Sequence, residues 1–216
     1  TTTTRAGNNT ITVSYGGSAN YNKYSTNATF TVDKADCILS INKIKTVKYG
    51  ENLTITGTFK NVNGQAIGNS KVRLDIHGQT VYVKTDSAGT WKHTLKVGTM
   101  GTNNITLIYG GSTTYNRYTT NTSFVVVKQD VEIVTSKISY KNGNFSVVGV
   151  FKDKTGKVLS NSKIRVTVNN KAVYVKTDKN GVFEYTTSVN GKITFTLSYG
   201  GSGYYNPFNS QKVTMS

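Results

Sequence analysis

The chain has 216 residues, room for roughly two ordinary domains, and 26 Lys and Arg against 10 Asp and Glu give it a formal net charge of +16. Abundant Thr, Asn, Ser and Gly, with no apolar residues at helical spacing, argue against helix. The charge indicates attraction to acidic polymers or simply a self-repelling surface, because the basic residues are spread along the chain. The single cysteine, Cys37, excludes an internal disulfide, and no apolar run is long enough to cross a membrane.

An internal repeat with a period near 92 residues is the main feature of the sequence. A block that begins YGGS occurs three times, at offsets of 94 and 90 residues (109 − 15 and 199 − 109). Two further blocks recur once each at an offset of 92 (173 − 81 and 145 − 53). A period of this length suits one sandwich domain per repeat. We therefore predict the last strands of a partial repeat over 1–34, a full repeat over 35–128 and another over 129–216.

Each long repeat is predicted to be an immunoglobulin-like antiparallel β-sandwich, so the chain is expected to be all-β. The first long repeat has seven strand candidates separated by turn residues, the number typical of this fold. They are predicted at 37–48, 53–60, 71–77, 79–85, 90–97, 103–109 and 121–127. The segment 1–34 has too few strands to enclose a core alone.

Alternation within the strand candidates predicts which side chains face the core. In the first long repeat these are Leu53, Ile55, Phe59, Val72, Leu74, Ile76, Trp91, Leu95, Val97, Ile105, Leu107 and Tyr109. In the second they are Ile164, Val166, Val168, Phe183, Tyr185, Val189, Phe195, Leu197 and Tyr199. Turns that begin with Asp or Asn and end with Gly are predicted at 61–64, 86–89, 153–156 and 178–181. Gly57 and Gly149, inside strands, predict a bulge or a close approach of the opposing sheet.

The YGGS loops carry a family resemblance. The segment YGGSANY that begins at Tyr15 resembles the Y-S-G-D-x-x-Y loop of bacterial immunoglobulin-like (Big-type) repeats, and the composition resembles adhesin-like surface proteins of methanogenic archaea. The resemblance covers essentially the whole chain and implies a tandem sandwich array at a cell surface, associated with an S-layer or cell wall, with an adhesive or structural role. Ser18, Ser112 and Ser202 replace the acidic residue of the family loop, which argues against a metal- or acid-dependent role for it.

Catalysis is not expected from this sequence, and no cofactor or metal is predicted. His77 and His93 are the only histidines, and Asn169 and Tyr185 stand at their positions in the second long repeat. Metal-ligand spacing and a phosphate-binding loop are both absent from the sequence. His93 is expected in the core or at its rim, and Cys37 is expected as a small buried hydrophobic residue.

Tyrosines and asparagines in and near the loops supply the candidate contacts. Tyr21, Tyr115 and Tyr205 are predicted to pack their rings on the end of the sandwich and to bind the loop backbone with their hydroxyls. The alternative prediction is that aromatic platforms for sugar rings are formed by Tyr24, Tyr115, Tyr118, Tyr204 and Tyr205. Acceptor sequons for N-glycosylation lie at Asn8, Asn27, Asn52, Asn104, Asn121 and Asn144, about as many as this composition gives by chance.

The junctions near 33–37 and 127–131 contain no Gly or Pro, so we expect them to hold adjacent domains stiffly. Each junction has a Lys-x-Asp sequence, interpreted as solvated linker charges rather than as partners in amide cross-links. These pairs are Lys34/Asp36 and Lys128/Asp130.

Together these features favour a non-enzymatic, extracellular stalk or fibre at a cell surface, whose partners are copies of itself or neighbouring repeats. The strands of 1–34 are expected to pair with an edge of a neighbouring chain and so to form a polymer. The alternative is an extracellular module that binds anionic wall glycan, host glycan or another acidic polymer. No nucleic-acid-binding motif is visible.

Overall fold

The computed structural model describes residues 5–216, and this part of the chain is all-β, as predicted. Its first strands are β1 (Gly7–Tyr15), β2 (Tyr24–Val32), β3 (Cys37–Leu39), β4 (Val47–Lys48), β5 (Asn52–Asn61), β6 (Lys71–Ile76), β7 (Gln79–Lys84), β8 (Thr90–Lys96), β9 (Gly101–Tyr109) and β10 (Tyr118–Val127). The others are β11 (Val131–Lys141), β12 (Asn144–Asp153), β13 (Lys163–Val168), β14 (Lys171–Lys176), β15 (Val182–Ser188), β16 (Ile193–Tyr199), β17 (Phe208–Asn209) and β18 (Val213–Met215). The first four residues of the predicted segment 1–34 lie outside the described part.

The strands form five sheets within the described residues. Their orders are β1-β2, β3-β5-β8, β4-β10-β9-β6-β7, β11-β12-β15 and β14-β13-β16-β17, and β18 also pairs with β16. None of these residues forms a helix long and apolar enough to span a membrane.

Two compact units make up the chain. The first comprises 5–44, 54–94 and 104–123. In it, β1 and β2 form an antiparallel hairpin, and Phe59 of β5 contacts Tyr109 of β9 with ring centroids 4.6 Å apart. Because β5 and β9 belong to different sheets, this contact closes one sheet over the other.

The second unit comprises 45–53, 95–103 and 124–216. Phe145 of β12 lies 4.9 Å from Phe195 of β16, and Phe151 lies 4.7 Å from Tyr199, between ring centroids. The second of these pairs occupies the positions of Phe59 and Tyr109 in the first unit. The predicted fold of tandem antiparallel immunoglobulin-like sandwiches is thus confirmed, with an aromatic pair bridging the sheets in each unit.

Most positions predicted to face the core are buried. Those with at most 9% exposure are Leu53, Ile55, Phe59, Val72, Leu74, Ile76, Trp91, Val97, Ile105, Leu107, Tyr109, Ile164, Val166, Val168, Phe183, Phe195 and Leu197. Four are only partly buried: Leu95, Tyr185, Val189 and Tyr199. Core residues that the sequence analysis did not identify include Phe145, Val147 and Phe151 of β12, and Ile193 of β16.

The predicted strand 37–48 is wrong as a single strand. Its first part, β3, pairs antiparallel with β5, whereas β4 pairs in parallel with β10 through Val47 and Val126. Beyond β3 the backbone still hydrogen-bonds to β5, through the Ser40 N–H to the Thr58 oxygen at 2.8 Å, and passes close over Gly57, where a Cβ would overlap the Ser40 oxygen and the Trp91 ring. The sequence pattern did not show this break.

In the second long repeat, the corresponding strand β11 stays in one sheet and contains a bulge. Its register on β12 shifts between Thr135 and Lys137, opposite Gly149. A Cβ on Gly149 would lie 2.9 Å from the Phe183 ring and from the Val134 oxygen. The predicted bulge is therefore present here, but the close approach at both in-strand glycines comes from neighbouring strands of the same sheet, not from the opposing sheet.

The four predicted turns are present and have the expected side-chain caps. Asp178 Oδ1 accepts hydrogen bonds from the backbone N–H groups of Asn180 and Val182, each at 2.8 Å, and Gly181 has a φ of 74°. Within the described part of the chain, Asp86 Oδ1 accepts only the Thr90 N–H, at 2.8 Å, whereas Asn61 and Asp153 each accept two backbone N–H groups of their turns. The turns at 86–89 and 178–181 join strands of different sheets, β7 to β8 and β14 to β15, so they carry the chain from one sheet to the other.

Candidate functional site

The YGGS loops have one hydrogen-bond pattern, made by the serine of each loop. The Ser112 N–H donates to the Tyr115 oxygen at 3.0 Å, and the Ser112 Oγ accepts the Tyr115 N–H at 3.0 Å. Ser202 and Tyr205 make the same two bonds at 3.0 and 3.2 Å. In the first segment the equivalent backbone bond is 2.9 Å long. The serine therefore closes the loop through its own backbone and hydroxyl.

The middle loop binds the residues that lead into its own repeat. The Ala35 N–H donates to the Thr114 oxygen, and the Asn116 N–H donates to the Ala35 oxygen, both at 2.9 Å. The Asn116 side-chain amide donates to the Asp36 carboxylate at 2.8 Å. The segment before the repeat is thus fastened to the loop at the repeat's far end.

The last loop repeats this arrangement. The Gln129 N–H donates to the Tyr204 oxygen and the Asn206 N–H donates to the Gln129 oxygen, both at 2.9 Å, and the Asn206 amide donates to the Asp130 carboxylate at 2.7 Å. Asp36 is exposed and the Asp130 side chain is 42% exposed, as expected for solvated linker charges, and each carboxylate also accepts a hydrogen bond from a loop asparagine.

Within the second unit, a buried glutamine and three tyrosines surround this segment. Gln129 has no exposed surface, its Nε2 donates to the Tyr49 oxygen at 3.2 Å, and its Oε1 accepts the Asp130 N–H at 2.9 Å. The Tyr49 ring lies 4.7 Å from the Tyr204 ring and 5.8 Å, edge to face, from the Tyr205 ring. We call Tyr49, Gln129, Asp130, Tyr204 and Tyr205 the tyrosine joint. Aromatic pairs and a satisfied buried amide both favour a single arrangement.

An ion pair lies at the edge of the tyrosine joint. The hydrogen bond from Lys48 and a second from Asn206 lower the pKa of Asp130, and the same contact raises the pKa of Lys48. Both side chains are more than 40% exposed, at 44% and 42%, so the pair contributes little stability. The rings and the buried amide are the stronger part of the joint.

The loop tyrosines do not all behave as predicted. Tyr205 is buried, and this burial together with the Asp153 carboxylate raises its pKa to about 12. Tyr115 is half-buried. Tyr21 is 72% exposed, so the predicted packing of its ring on a sandwich end is wrong for the first segment.

The five tyrosines predicted as sugar platforms lie in or just after the three YGGS loops, and two of them begin strands, Tyr24 in β2 and Tyr118 in β10. Tyr24 is 67% exposed, and Tyr204 is 50% exposed while its ring contacts Tyr49. Tyr115 and Tyr118 are half-buried, and Tyr205 is buried. Contact of the exposed rings with sugars stays a prediction.

All six sequon asparagines lie at exposed positions on or beside strands. The Asn27 oxygen accepts a hydrogen bond from Thr12 at 2.7 Å, and the Asn8 oxygen accepts one from Thr31 at 2.9 Å. N-glycosylation at the six remains a prediction.

The residues considered for reactive chemistry have ordinary surroundings. His77 is exposed in the turn between β6 and β7, and His93 is partly buried at the predicted rim position. Cys37 is 4% exposed, as predicted; its Sγ donates to the Asn116 oxygen at 3.4 Å, and burial raises the pKa of its thiol. Among residues 5–216, no group of three or more His, Cys, Asp and Glu is placed to hold a metal ion.

No protein-family model and no curated protein matches the chain. Among solved structures, it is similar to a 1.5-MDa bacterial ice-binding adhesin, with 14% identity and a TM-score of 0.37 over 84% of this chain and 64% of that one. It is also similar to a Ca²⁺-stabilized adhesin with which an Antarctic bacterium binds ice. The identity is 13% and the TM-score 0.39, over 96% of this chain and 55% of the adhesin. With the D0–D1 domain of intimin, the identity is 22% and the TM-score 0.36, over 82% of this chain and 98% of that domain. The chain spans less than two thirds of either ice-binding adhesin, and likenesses this distant carry no argument about ligand or partner.

The tyrosine joint was missed in the sequence, although two substitutions between repeats point to it. Ala35 and Thr114 hydrogen-bond to each other in the first long repeat, and Gln129 and Tyr204 stand at their positions in the second. Gln129 has a side-chain amide where Ala35 has a methyl group, and Tyr204 has an aromatic ring where Thr114 has a small hydroxyl-bearing side chain. These larger side chains indicate an added contact in the second long repeat. The third member, Tyr49, lies just beyond a misassigned strand and gave no signal.

Proposed function

We propose that the protein is an extracellular, non-enzymatic surface protein whose immunoglobulin-like sandwiches form a stiff stalk or fibre with a structural or adhesive role. Its neighbours in the array are other repeats of the same protein, and association with an S-layer or cell wall of an archaeon belongs to the proposal. The observation that carries it is the tyrosine joint. A connection with a fully buried Gln129 and rings in tilted and edge-to-face contact favours a fixed geometry, whereas a flexible linker would be solvated.

The test replaces the joint with the residues of the earlier junction. Gln129→Ala with Tyr204→Thr puts the residues of Ala35 and Thr114 at those positions. We expect pulsed electron–electron distance measurements, with one spin label on an exposed strand of each long repeat, to give a narrow distribution for the parent chain and a broad one for the double variant. Cys37 is buried and does not compete for the label.

The matched control is Tyr174→Thr, which removes an exposed ring outside the joint. It should leave the distribution narrow, and thermal unfolding should show that each variant keeps its sandwiches folded. A parent chain whose distribution is already as broad as that of the double variant would contradict the stiff stalk.

We further propose that the array polymerises by strand addition through the hairpin of β1 and β2. One face of the hairpin exposes a row of apolar side chains: Ile11 at 54%, Val13 at 62%, Tyr15 at 47% and Phe30 at 38%. In the middle repeat, β6 pairs with β9, the counterpart of β1. A strand from a second copy of the chain takes the corresponding place beside β1, and a second sheet of that copy covers the apolar face.

Sedimentation over a wide concentration range tests the addition. The parent chain should associate as concentration rises, and Ile11→Glu with Val13→Glu should remain monomeric, because charges on the apolar face oppose its burial. Thr10→Glu with Ser14→Glu adds the same charge to the opposite face of β1 and should associate like the parent. Monomeric parent chain at every concentration would exclude the polymer.

A second role is binding of an acidic glycan of a cell wall or host. The formal charge of +16 supports it, since a field of this size attracts polyanions. Affinity for such a polymer should fall steeply as salt is added, and a salt-independent affinity would argue for apolar contacts instead.

A further inference from the structure

The hairpin of β6 and β7 has a basic outward face with one exposed ring. Alternation buries Val72 and Leu74, so that their neighbours Lys71 and Arg73 point outward. Arg73 lies directly opposite Tyr82, which is 57% exposed. The Lys71 ammonium stands 4.0 Å above the centre of the Tyr82 ring. A ring and two cations thus share one face.

The hairpin of β13 and β14 has the same face. Arg165 lies opposite Tyr174, which is 65% exposed, and Lys163 lies opposite Lys176. All four residues recur at an offset of 92 (163 − 71, 165 − 73, 174 − 82 and 176 − 84). We call each set a basic tyrosine face. The first set is Lys71, Arg73, Tyr82 and Lys84, and the second is Lys163, Arg165, Tyr174 and Lys176.

Each face contains a pairing that the fold does not need. Lys71 is directly opposite Lys84, and Lys163 is directly opposite Lys176. Like charges at directly opposed positions of antiparallel strands destabilise the pair. The side chains of the buried face already hold these hairpins, so the repulsion brings no structural gain. An anion bound between the lysines would remove it.

The two faces differ in one residue. Arg73 is held by Asp75 of its own strand, through Nε to Oδ1 at 2.9 Å and through a second nitrogen to Oδ2 at 2.8 Å. The position of Asp75 is taken by Thr167 in β13. Within residues 5–216 the structure records no ion pair for Arg165, so its guanidinium is available to an external acid.

Space for a ligand adjoins the first face. An open groove of about 480 Å³ runs from Tyr82 and Arg73 to Gly110 and Gly111 of the YGGS loop. Sites for small ligands have volumes in this range. The exposed flat ring of Tyr82 lines the groove and offers a surface on which a sugar ring can stack.

We propose that the basic tyrosine faces bind an acidic polysaccharide, and that the face around Arg165 binds it more tightly than the face around Arg73. Carboxylate or sulfate groups bind the guanidinium and the paired lysines, and the tyrosine stacks on a sugar ring. One exposed ring on each face suits one sugar of a chain, whereas successive nucleic-acid bases need successive rings. The inference rests on the proposed glycan-binding role and not on the stiffness of the stalk.

Calorimetric titration of the whole chain tests the faces, with polygalacturonate as the carboxylated probe, dextran sulfate as the sulfated probe and dextran as the uncharged blank. The triple variant Lys163→Gln, Arg165→Gln, Lys176→Gln should bind the acidic probes about tenfold more weakly. It loses three contacts between basic side chains and the carboxylate or sulfate groups of the polymer. The control Lys141→Gln, Lys157→Gln and Lys212→Gln removes the same charge from exposed positions outside the face and should change affinity less than about twofold. Equal losses in the two triple variants would overturn the site.

Single substitutions separate stacking from charge. Tyr174→Phe should bind like the parent and Tyr174→Ala several-fold more weakly, because only the alanine variant loses the ring. Thr167→Asp should weaken binding, since it gives Arg165 an internal partner, and Asp75→Thr should strengthen it. No effect from either of these two changes would overturn the ranking of the faces.

The class of ligand is decided in the same titrations. Binding of one acidic probe alone identifies the preferred acid group, and binding of neither overturns the inference while leaving the stalk proposal to its own ligand-free distance measurement. Single-stranded DNA is the competitor of another class. Equal affinity for DNA and for both polysaccharides would overturn the assignment to a polysaccharide.

Discussion

Two hairpins with the same apolar pattern have opposite environments in this protein. Ile11 and Val13 of β1 are 54% and 62% exposed, whereas Ile105 and Leu107, at the same positions of β9, are completely buried. The sequences differ little, and both hairpins place their apolar side chains on one face.

The difference comes from what lies next to each hairpin. β9 has β6 at its side, and its Tyr109 meets Phe59 of another sheet. The matching Tyr15 of β1 is 47% exposed. Alternation therefore predicts which face of a strand is apolar, and only the presence of a second sheet makes that face a core.

The largest effect should come from shortening the same residue position in the two hairpins. Leu107→Ala should lower the free energy of unfolding by about 2 to 5 kcal/mol, because it removes buried methyl groups and leaves a cavity. Val13→Ala should change it by less than about 0.5 kcal/mol in dilute solution, since its side chain is exposed there. Urea unfolding followed by tyrosine and tryptophan fluorescence measures both.

An equal lowering of the free energy of unfolding by Leu107→Ala and Val13→Ala would contradict the difference between the two hairpins, because it would mean that the first hairpin already has a partner sheet in solution. Repeating the Val13→Ala measurement at high concentration sharpens it. If a second copy covers the face, the cost of this substitution should rise as the chains associate.

Sequence alternation was sufficient for the fold because it depends only on near neighbours along each strand. The turns were predictable for the same reason, since the Asp178 cap and Gly181 lie within one turn. The break in the predicted strand 37–48 separates β3, which pairs with β5, from β4, which pairs with the distant strand β10, and the folded sheets alone make these pairings. Such pairings have no local signature.

The candidate site was predictable in part. The YGGS loops were found from their repetition, but the function of their serines and asparagines depends on the segment that each loop binds. Gln129 is buried because Tyr49 and Tyr204 surround it. A buried glutamine is the opposite of what its polarity predicts, and its satisfied hydrogen bonds explain it.

The next largest effect is expected at the loop tyrosines, which, like the two hairpins, are buried in one repeat and exposed in another. Tyr205 is buried and its folded-state pKa is about 12, above the ordinary value of 10.0. The folded state therefore keeps a proton that the unfolded state loses, so the stabilisation is fully present below pH 10 and is lost as the pH rises to about 12. The loss should be on the order of 2 kcal/mol.

Unfolding midpoints measured between pH 9 and pH 12 test this, with Tyr205→Phe as the variant. The parent should lose more stability than the variant across that interval, because phenylalanine has no proton to lose. Tyr21→Phe, at the exposed equivalent position, should follow the parent curve. Parallel curves for the parent and Tyr205→Phe would show that the ring is not buried in solution.

The smallest effect is expected at the loop asparagines. The Asn116 amide donates to the Asp36 carboxylate at 2.8 Å and to the Lys34 oxygen at 3.3 Å, whereas the exposed Asn22 holds the same loop position in the first segment. Asn116→Ala should cost about 1 kcal/mol, since these partly exposed bonds are exchanged for bonds to water. Asn22→Ala should cost a few tenths of a kcal/mol at most.

Hydrogen exchange at the Ala35 amide gives the local measurement for this pair. The Asn116→Ala variant keeps its backbone bond to Ala35, so faster exchange there would come from the lost side-chain bonds alone. Asn22→Ala should leave that amide unchanged. If neither substitution alters the exchange of Ala35, the backbone bonds alone fasten the segment, and the comparison between covered and uncovered loops then depends on packing rather than on the asparagine.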